Sequence, residues 1–321
     1  MKKQLIAAGA AAALFALTAC GSSNYEATPV PTKPVPVETP PAPGTLPLKC
    51  DNALASYAPD GPLPAPGQFP AGSYMAQIKQ RGRLIAGVSA DSLHLGSRNP
   101  ISGDIEGFDI DMVKAVAQAL GVELELRVIS SPQRLPVLID GSVDIVARNM
   151  TINCDRWSQI AFSAEYYRSG QKSLVPLSSN AKSLNDLPPG TAICTPTGST
   201  SYTNLRKNFR LLKAVTADTD GGCLVLFQQG KVFGISGDDT VLAGDAAQDP
   251  YARVIKGERF SDEPYGLGMS KKHPEFVQFV NGVLEQIKAD GRWKASYNKW
   301  FAADLGPAPA PPKPVYGRVP E

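Results

Sequence analysis

An α/β fold of mostly parallel sheets flanked by helices follows from three features of the sequence. Short apolar, β-prone runs alternate with helical periodicities from residue 83 onward, and the alternation restarts near residue 191. The length, 321 residues, is enough for two lobes, each with a core of its own. In order, Arg83-Leu-Ile-Ala-Gly-Val88 reads as a buried strand. Residues 107–120 repeat apolar groups at helical spacing and stop at Gly121. A second strand is expected over 122–129, a short helix over 133–140 and a third strand over 143–147. The second series opens with Thr191-Ala-Ile-Cys194. It continues with a helix from about Ser201, another over 222–229 and a strand over 232–235, and residues 274–300 are strongly helical. Strands separated by helices of this length require parallel pairing through crossovers.

The ends differ in composition. Lys2 and Lys3 precede an apolar run over 5–17, too short to span a bilayer and flanked like a secretory signal peptide. It closes on Leu17-Thr18-Ala19-Cys20-Gly21, which resembles a lipobox. The expectation is a signal peptide over 1–19, lipidation of Cys20 and an extracytoplasmic chain held on the outer face of the cell membrane; several acyl chains anchor stably where one would not. The proline-rich residues 20–50 read as a stalk that cannot bury a core. A second proline-rich tail occupies 306–321, leaving a compact part of about 51–305.

Export permits disulfides. Setting Cys20 aside leaves Cys50, Cys154, Cys194 and Cys223, for which three pairings exist. Cys194 and Cys223 share the later segment, so they are paired, which leaves Cys50 with Cys154. No Cys-x-x-Cys is present and the only histidines are His94 and His273, so no metal is expected. With 32 basic and 30 acidic residues spread along the chain, there is no basic stripe for nucleic acid.

Several blocks in order carry a resemblance: Gly107-Phe-Asp-Ile-Asp111, Gly141-Ser-Val-Asp-Ile145, Met150-Thr-Ile-Asn-Cys-Asp-Arg156, Phe162-Ser-Ala-Glu-Tyr166, Gly198-Ser-Thr-Ser201 and Asp238-Asp239. Together they resemble the bacterial extracellular solute-binding proteins of family 3, which serve polar amino-acid ABC transporters. The Cys194 and Asp238 regions look most like the actinobacterial glutamate/glutamine-binding lipoproteins. The resemblance implies a two-lobed, type II periplasmic-binding-protein fold with two crossover strands. Lobe 1 would comprise 74–172 plus 265–303 and lobe 2 would comprise 174–261. It also implies an interlobe cleft for an amino acid, no cofactor, no catalysis, and an ABC permease or membrane sensor as partner.

A free amino acid presents a carboxylate and an ammonium, and burying either unpaired is costly. By the resemblance, Thr151 and Arg156 take the carboxylate, the guanidinium gripping it with two parallel bonds. Ser199 and Thr200, at a glycine turn entering a helix, add donors, and Asn149 stands in the same lobe-1 turn as Thr151. Asp238 takes the ammonium, with Asp239 the alternative. Ser131 and Arg134 match a block that holds a distal carboxylate. Arg98 is a second cation candidate, Asp91 a polar contact after the first strand, and His94 stands where an aromatic lid is usual. One spare cation favours glutamate or aspartate; asparagine or glutamine fits only if Arg134 keeps a water or another carboxylate. Against an enzyme, Glu165 is the sole carboxylate that could be nominated as an acid, and Ser169-Gly-Gln-Lys172 lacks the companion motifs of a Ser-x-x-Lys enzyme.

Overall fold

The computed structural model describes residues 50–257 and 259–319. The readings of a signal peptide, Cys20 lipidation and most of the stalk fall outside these residues. Among the described residues no helix is long and apolar enough to cross a membrane.

Two sheets organise the chain. The first runs Glu123–Val128, Arg83–Val88, Ile145–Ala147, Gly268–Met269, Ala161–Phe162. Its first three strands are parallel. The second runs Lys213–Ala217, Ala192–Pro196, Gly234–Asp238, Tyr167–Pro176, Ala252–Val254, again with its first three strands parallel. Strand Tyr167–Pro176 belongs to both halves of the molecule. Its first residues pair with Asp262–Tyr265, Tyr167 opposite Tyr265, while Ser173 to Pro176 pair inside the second sheet. These two antiparallel segments are the passages between lobes.

The first lobe holds a continuous core in which helix Phe108–Leu120 buries Phe108, Ile110, Val113, Val116 and Leu120 on its sheet. Gly107 starts that helix at φ 146°, and a Cβ there would lie 2.3 Å from the Leu95 carbonyl oxygen, so only glycine fits. The second lobe has three smaller apolar clusters. One contains the Cys194–Cys223 disulfide, which joins a central strand to the helix packed on it. The second bridge is Cys50–Cys154. Both are the expected pairs, and the position of Cys154 in the turn before Arg156 is explained by its bond to the entering chain.

The helix expected over 133–140 is a 3-10 turn, Ser131–Gln133, followed by Pro136–Ile139, and the strand expected over 232–235 is Gly234–Asp238; three larger differences follow. The long C-terminal helix divides into Pro274–Ala289 and Arg292–Trp300, hinged at Gly291 with φ 89°. The helix expected from 222 starts at Asp220, capped by Thr219, whose Oγ1 accepts the Gly222 N–H at 3.0 Å. And the compact body does not end near residue 305. Val315–Tyr316 pairs with Ala55–Ser56, Arg318 stacks over Trp157 at 3.9 Å, and Lys288 Nζ donates to the Glu165 and Pro312 carbonyls. Proline cannot donate, so this segment docks through its carbonyls and through Tyr316 and Arg318.

Asp109 in the first turn of helix Phe108–Leu120 is fully buried. It accepts the Tyr166 hydroxyl at 2.6 Å and the Asn149 N–H at 2.8 Å. It thereby fixes Asn149, which turns the chain at φ 36°. Burial pushes its carboxyl up to about 6, despite the lowering effect of those two donors.

Two outcomes follow. Reduction of both disulfides should lower the melting temperature by roughly 5–15 °C, since each bridge is worth a few kcal/mol; an unchanged melt would contradict their structural role. For Asp109, the folded-state value lies above the unfolded one, so its contribution is fully present below about pH 4 and is lost as pH rises through about 6. The full effect is about 3 kcal/mol. In urea titrations the parent should lose that much relative to Asp109→Asn over this window; parallel pH profiles would refute it.

Candidate functional site

Loops at the carboxyl ends of parallel strands meet between the lobes, the usual place for a site in such sheets. From lobe 1, strand Ile145–Ala147 leads into Arg148, Asn149 and Thr151. From lobe 2, Ala192–Pro196 leads through Gly198 to helix Thr200–Asn208, capped by the Ser199 hydroxyl, which accepts the Tyr202 N–H. Gly234–Asp238 ends on Asp238, and Lys213–Ala217 leads to Asp220. The cavity they enclose measures about 20 Å³, room for about one water molecule, so the lobes are drawn together. Its walls include Ser131, Arg134, Asn149 and Thr151 on one side and Ser199, Thr200, Asp220 and Asp238 on the other.

The two arginines singled out in the sequence converge on lobe 2. Arg156, buried, donates Nη1 to the Thr151 carbonyl at 2.8 Å and Nη2 to the Gly198 carbonyl at 3.2 Å. Arg134 donates to the Ser131, Arg148 and Asn149 carbonyls and sends Nη2 to the same Gly198 oxygen at 3.3 Å. Burial, with Arg156 and Arg148 nearby, pulls the Arg134 guanidinium down to about 9. The Thr151 and Thr200 hydroxyls lie 3.2 Å apart and both donate to Glu263 Oε2 at 2.7 Å. Glu263 is buried on crossover segment Asp262–Tyr265, so one carboxylate ties both lobes to the hinge.

Of the adjacent aspartates, Asp238 faces the cavity. Its Oδ2 accepts the Tyr265 hydroxyl at 2.7 Å while Oδ1, buried, has no hydrogen-bond partner. Burial, then repulsion from Glu263, pushes its carboxyl well above the usual range. Asp239 points elsewhere, accepting Ser169 Oγ at 2.7 Å and pairing with Arg259 at 2.6 Å. The alternation of side chains at a strand end accounts for the difference.

Four candidates lie off the cavity wall, Arg156 among them, which reaches it through the Thr151 and Gly198 carbonyls. Arg98 sits exposed on the Gly96–Arg98 hairpin strand and donates to the Gly103 carbonyl, so the hairpin carries it outward. His94, at φ 73°, places Nε2 2.9 Å from Asp304 near the C-terminal helices. Asp91 accepts the Ser89 hydroxyl and abuts the second lobe, where a Cβ on Gly221 would come within 2.8 Å of it. Glu165 is bound by Arg168 and does not line the cavity.

Sequence reading missed Asp220, Asp245 and Glu263. Asp220 Oδ2 accepts Ser92 Oγ at 2.5 Å and Asn149 Nδ2 at 3.5 Å, and lies 3.7 Å from Arg148 Nη1, all three from lobe 1. A Thr-Asp pair opening a helix was the available signal, lost by starting that helix two residues late. Among the described residues no cluster suited to a metal ion occurs.

Comparison with known proteins bears on family and fold. Residues 84–303 match the family model of bacterial extracellular solute-binding proteins, family 3. The chain is 32% identical over 233 residues to the ABC transporter glutamine-binding protein GlnH of Bacillus subtilis, covering 72% of this chain and 85% of that one. It is 29% identical over 257 residues to the glutamate-binding protein GluB of Corynebacterium efficiens, covering 76% and 86%. Among solved structures, an ancestral arginine-binding protein bound to glutamine superposes with a TM-score of 0.65 at 33% identity, over 69% of this chain and 98% of that one. The fold is that of the type II periplasmic amino-acid-binding proteins, and these relatives bind solutes rather than transform them. The chain thus belongs to the bacterial extracellular solute-binding proteins of family 3.

Proposed function

We propose that the protein is an extracytoplasmic, lipid-anchored receptor that closes its two lobes on a polar amino acid, acidic or amidated, and delivers it to an ABC permease. The single observation that carries this reading is one cavity lined by Arg134 and by Asp238, whose Oδ1 is unpartnered, with the Arg156 guanidinium bonded to the same Gly198 carbonyl as Arg134. A zwitterion supplies the complement to each.

The arginine bonds to the Gly198 carbonyl, at 3.2 and 3.3 Å, are long and have a neutral acceptor. A ligand carboxylate offers shorter, charge-assisted bonds to the same donors, roughly twice as strong. An ammonium beside Asp238 Oδ1 would favour the ionised carboxylate that burial now penalises. Because the cavity is smaller than an amino acid, entry requires the lobes to part about the crossover segments 167–176 and 262–265. Closure then follows from contacts that the ligand makes to both lobes, a population shift whose size is set by its differential affinity for the closed form. Thr151 and Thr200, one from each lobe, would turn their hydroxyls from Glu263 Oε2 to the ligand carboxylate, and Asn149 Oδ1 is a second unpartnered acceptor for the ammonium.

Anchoring rests on the Leu17-Thr18-Ala19-Cys20-Gly21 motif and the proline-rich stalk behind it. A membrane signalling protein could sense the same closed form in place of a permease, since either partner would recognise the lobes' relative position.

Titration calorimetry against the twenty amino acids should give micromolar or tighter binding, about −8 kcal/mol, for polar ones. Arg156→Ala should weaken every ligand by roughly a hundredfold or more, because it strips one member from a buried charge pair. Absence of heat with all twenty, or an Arg156→Ala variant that binds as the parent does, would refute the reading.

A further inference from the structure

Once Arg156, Thr151 and Thr200 are assigned to the α-carboxylate and Asp238 to the ammonium, the remaining cavity wall has a composition of its own. The sequence counted Arg134 as a spare cation with Ser131 as its helper. In the structure the Ser131 hydroxyl already accepts Arg148 Nη1 at 2.6 Å. That arginine is wholly buried, and Asp220 answers its charge at 3.7 Å. Asp220 and Arg134 both line the cavity, as does Asp245. The wall therefore carries two guanidiniums, Arg134 and Arg148 just behind it, and two carboxyl groups.

Its unused hydrogen-bonding capacity is also mixed. Arg148 Nη2 is a buried donor with no partner, while Asp245 Oδ2 is a buried acceptor with none. A ligand carboxylate is acceptor-only and would bring a further negative charge against Asp220 in a site shielded from solvent. A carboxamide is neutral, with one acceptor for the arginine side and two donors for the carboxylate side. Asp220, beside Arg148, supplies a carboxylate on the same wall as Arg134.

We propose that Asp220 sets the side-chain preference of the cleft, so that a terminal carboxamide, as in glutamine or asparagine, is taken ahead of the corresponding carboxylate. This rests on reading the cleft as an amino-acid site. Asp220 also joins the lobes through the Ser92 hydroxyl, so loss of affinity alone would not identify a selective role. The ratio between amide and acid does.

The test is calorimetry at neutral pH of the purified protein and of Asp220→Asn with glutamine, glutamate, asparagine and aspartate. The parent should bind each amide roughly tenfold or more tightly than its acid, a difference of about 1.4 kcal/mol or more. Asp220→Asn keeps the shape, removes the charge and adds a donor, so it should move the amide-to-acid ratio at least roughly tenfold toward the acids. A parent that prefers glutamate to glutamine would overturn the proposal whether or not the variant folds. A variant that weakens all four ligands by one common factor would overturn it too, reducing Asp220 to a lobe contact. If none of the four binds the parent, the amino-acid reading itself falls, and this proposal with it.

Discussion

Charge buried without a matching partner is the constraint around which the cleft is organised. Asp238 is held by Tyr265 through one oxygen, and its other oxygen faces the cavity with nothing to accept from. Arg134, also buried, donates only to backbone carbonyls, among them the Gly198 oxygen that Arg156 shares. Asp238 and Arg134 would be better served by water or by an ionic partner. The protein retains them because the cores of both lobes and the two crossover segments fix the loops that carry them. A guest bearing opposite charges at a fixed separation relieves both ends at once.

In the proposed reading, relief at both ends is also what makes closure selective. Glu263, on a crossover segment, accepts the hydroxyls of Thr151 from one lobe and Thr200 from the other, so the hinge already senses whether the two meet. Asp220 reports the same approach on the far side of the cavity through Ser92, Asn149 and Arg148. These contacts hold a closed form with little room in it, which means that a ligand competes with internal bonds and must offer stronger ones. Charged hydrogen bonds meet that condition and neutral ones do not.

Much of this was legible in the sequence. Periodicity located the strand Arg83–Val88 and the helix Phe108–Leu120 closely because both are long and strongly patterned. Thr151, Arg156 and Asp238 are named in the sequence by the family resemblance, and the fold puts Thr151 and Asp238 on the cavity wall with Arg156 bonded to the Thr151 carbonyl. What failed did so for physical reasons. Arg98 and His94 were placed by their distance along the chain from the first strand, but a three-stranded hairpin sheet intervenes and turns them away. Asp220 lies in a first helical turn that contains two glycines, which masked the start of the helix. Glu263 acts across 112 residues, a distance no local pattern spans. The proline-rich end was read as a tail, yet its carbonyls and its final tyrosine and arginine give it ample ways to dock.

The claim that the buried Asp238 carboxylate and Arg156 guanidinium exist to be neutralised by the two ends of one zwitterion is most directly tested by a crystal structure with a bound polar amino acid. The account predicts the ligand ammonium about 3 Å from Asp238 Oδ1 and the ligand carboxylate on Arg156, with the Gly198 carbonyl released. A ligand seated elsewhere, or one that leaves Asp238 Oδ1 without a donor, would contradict it.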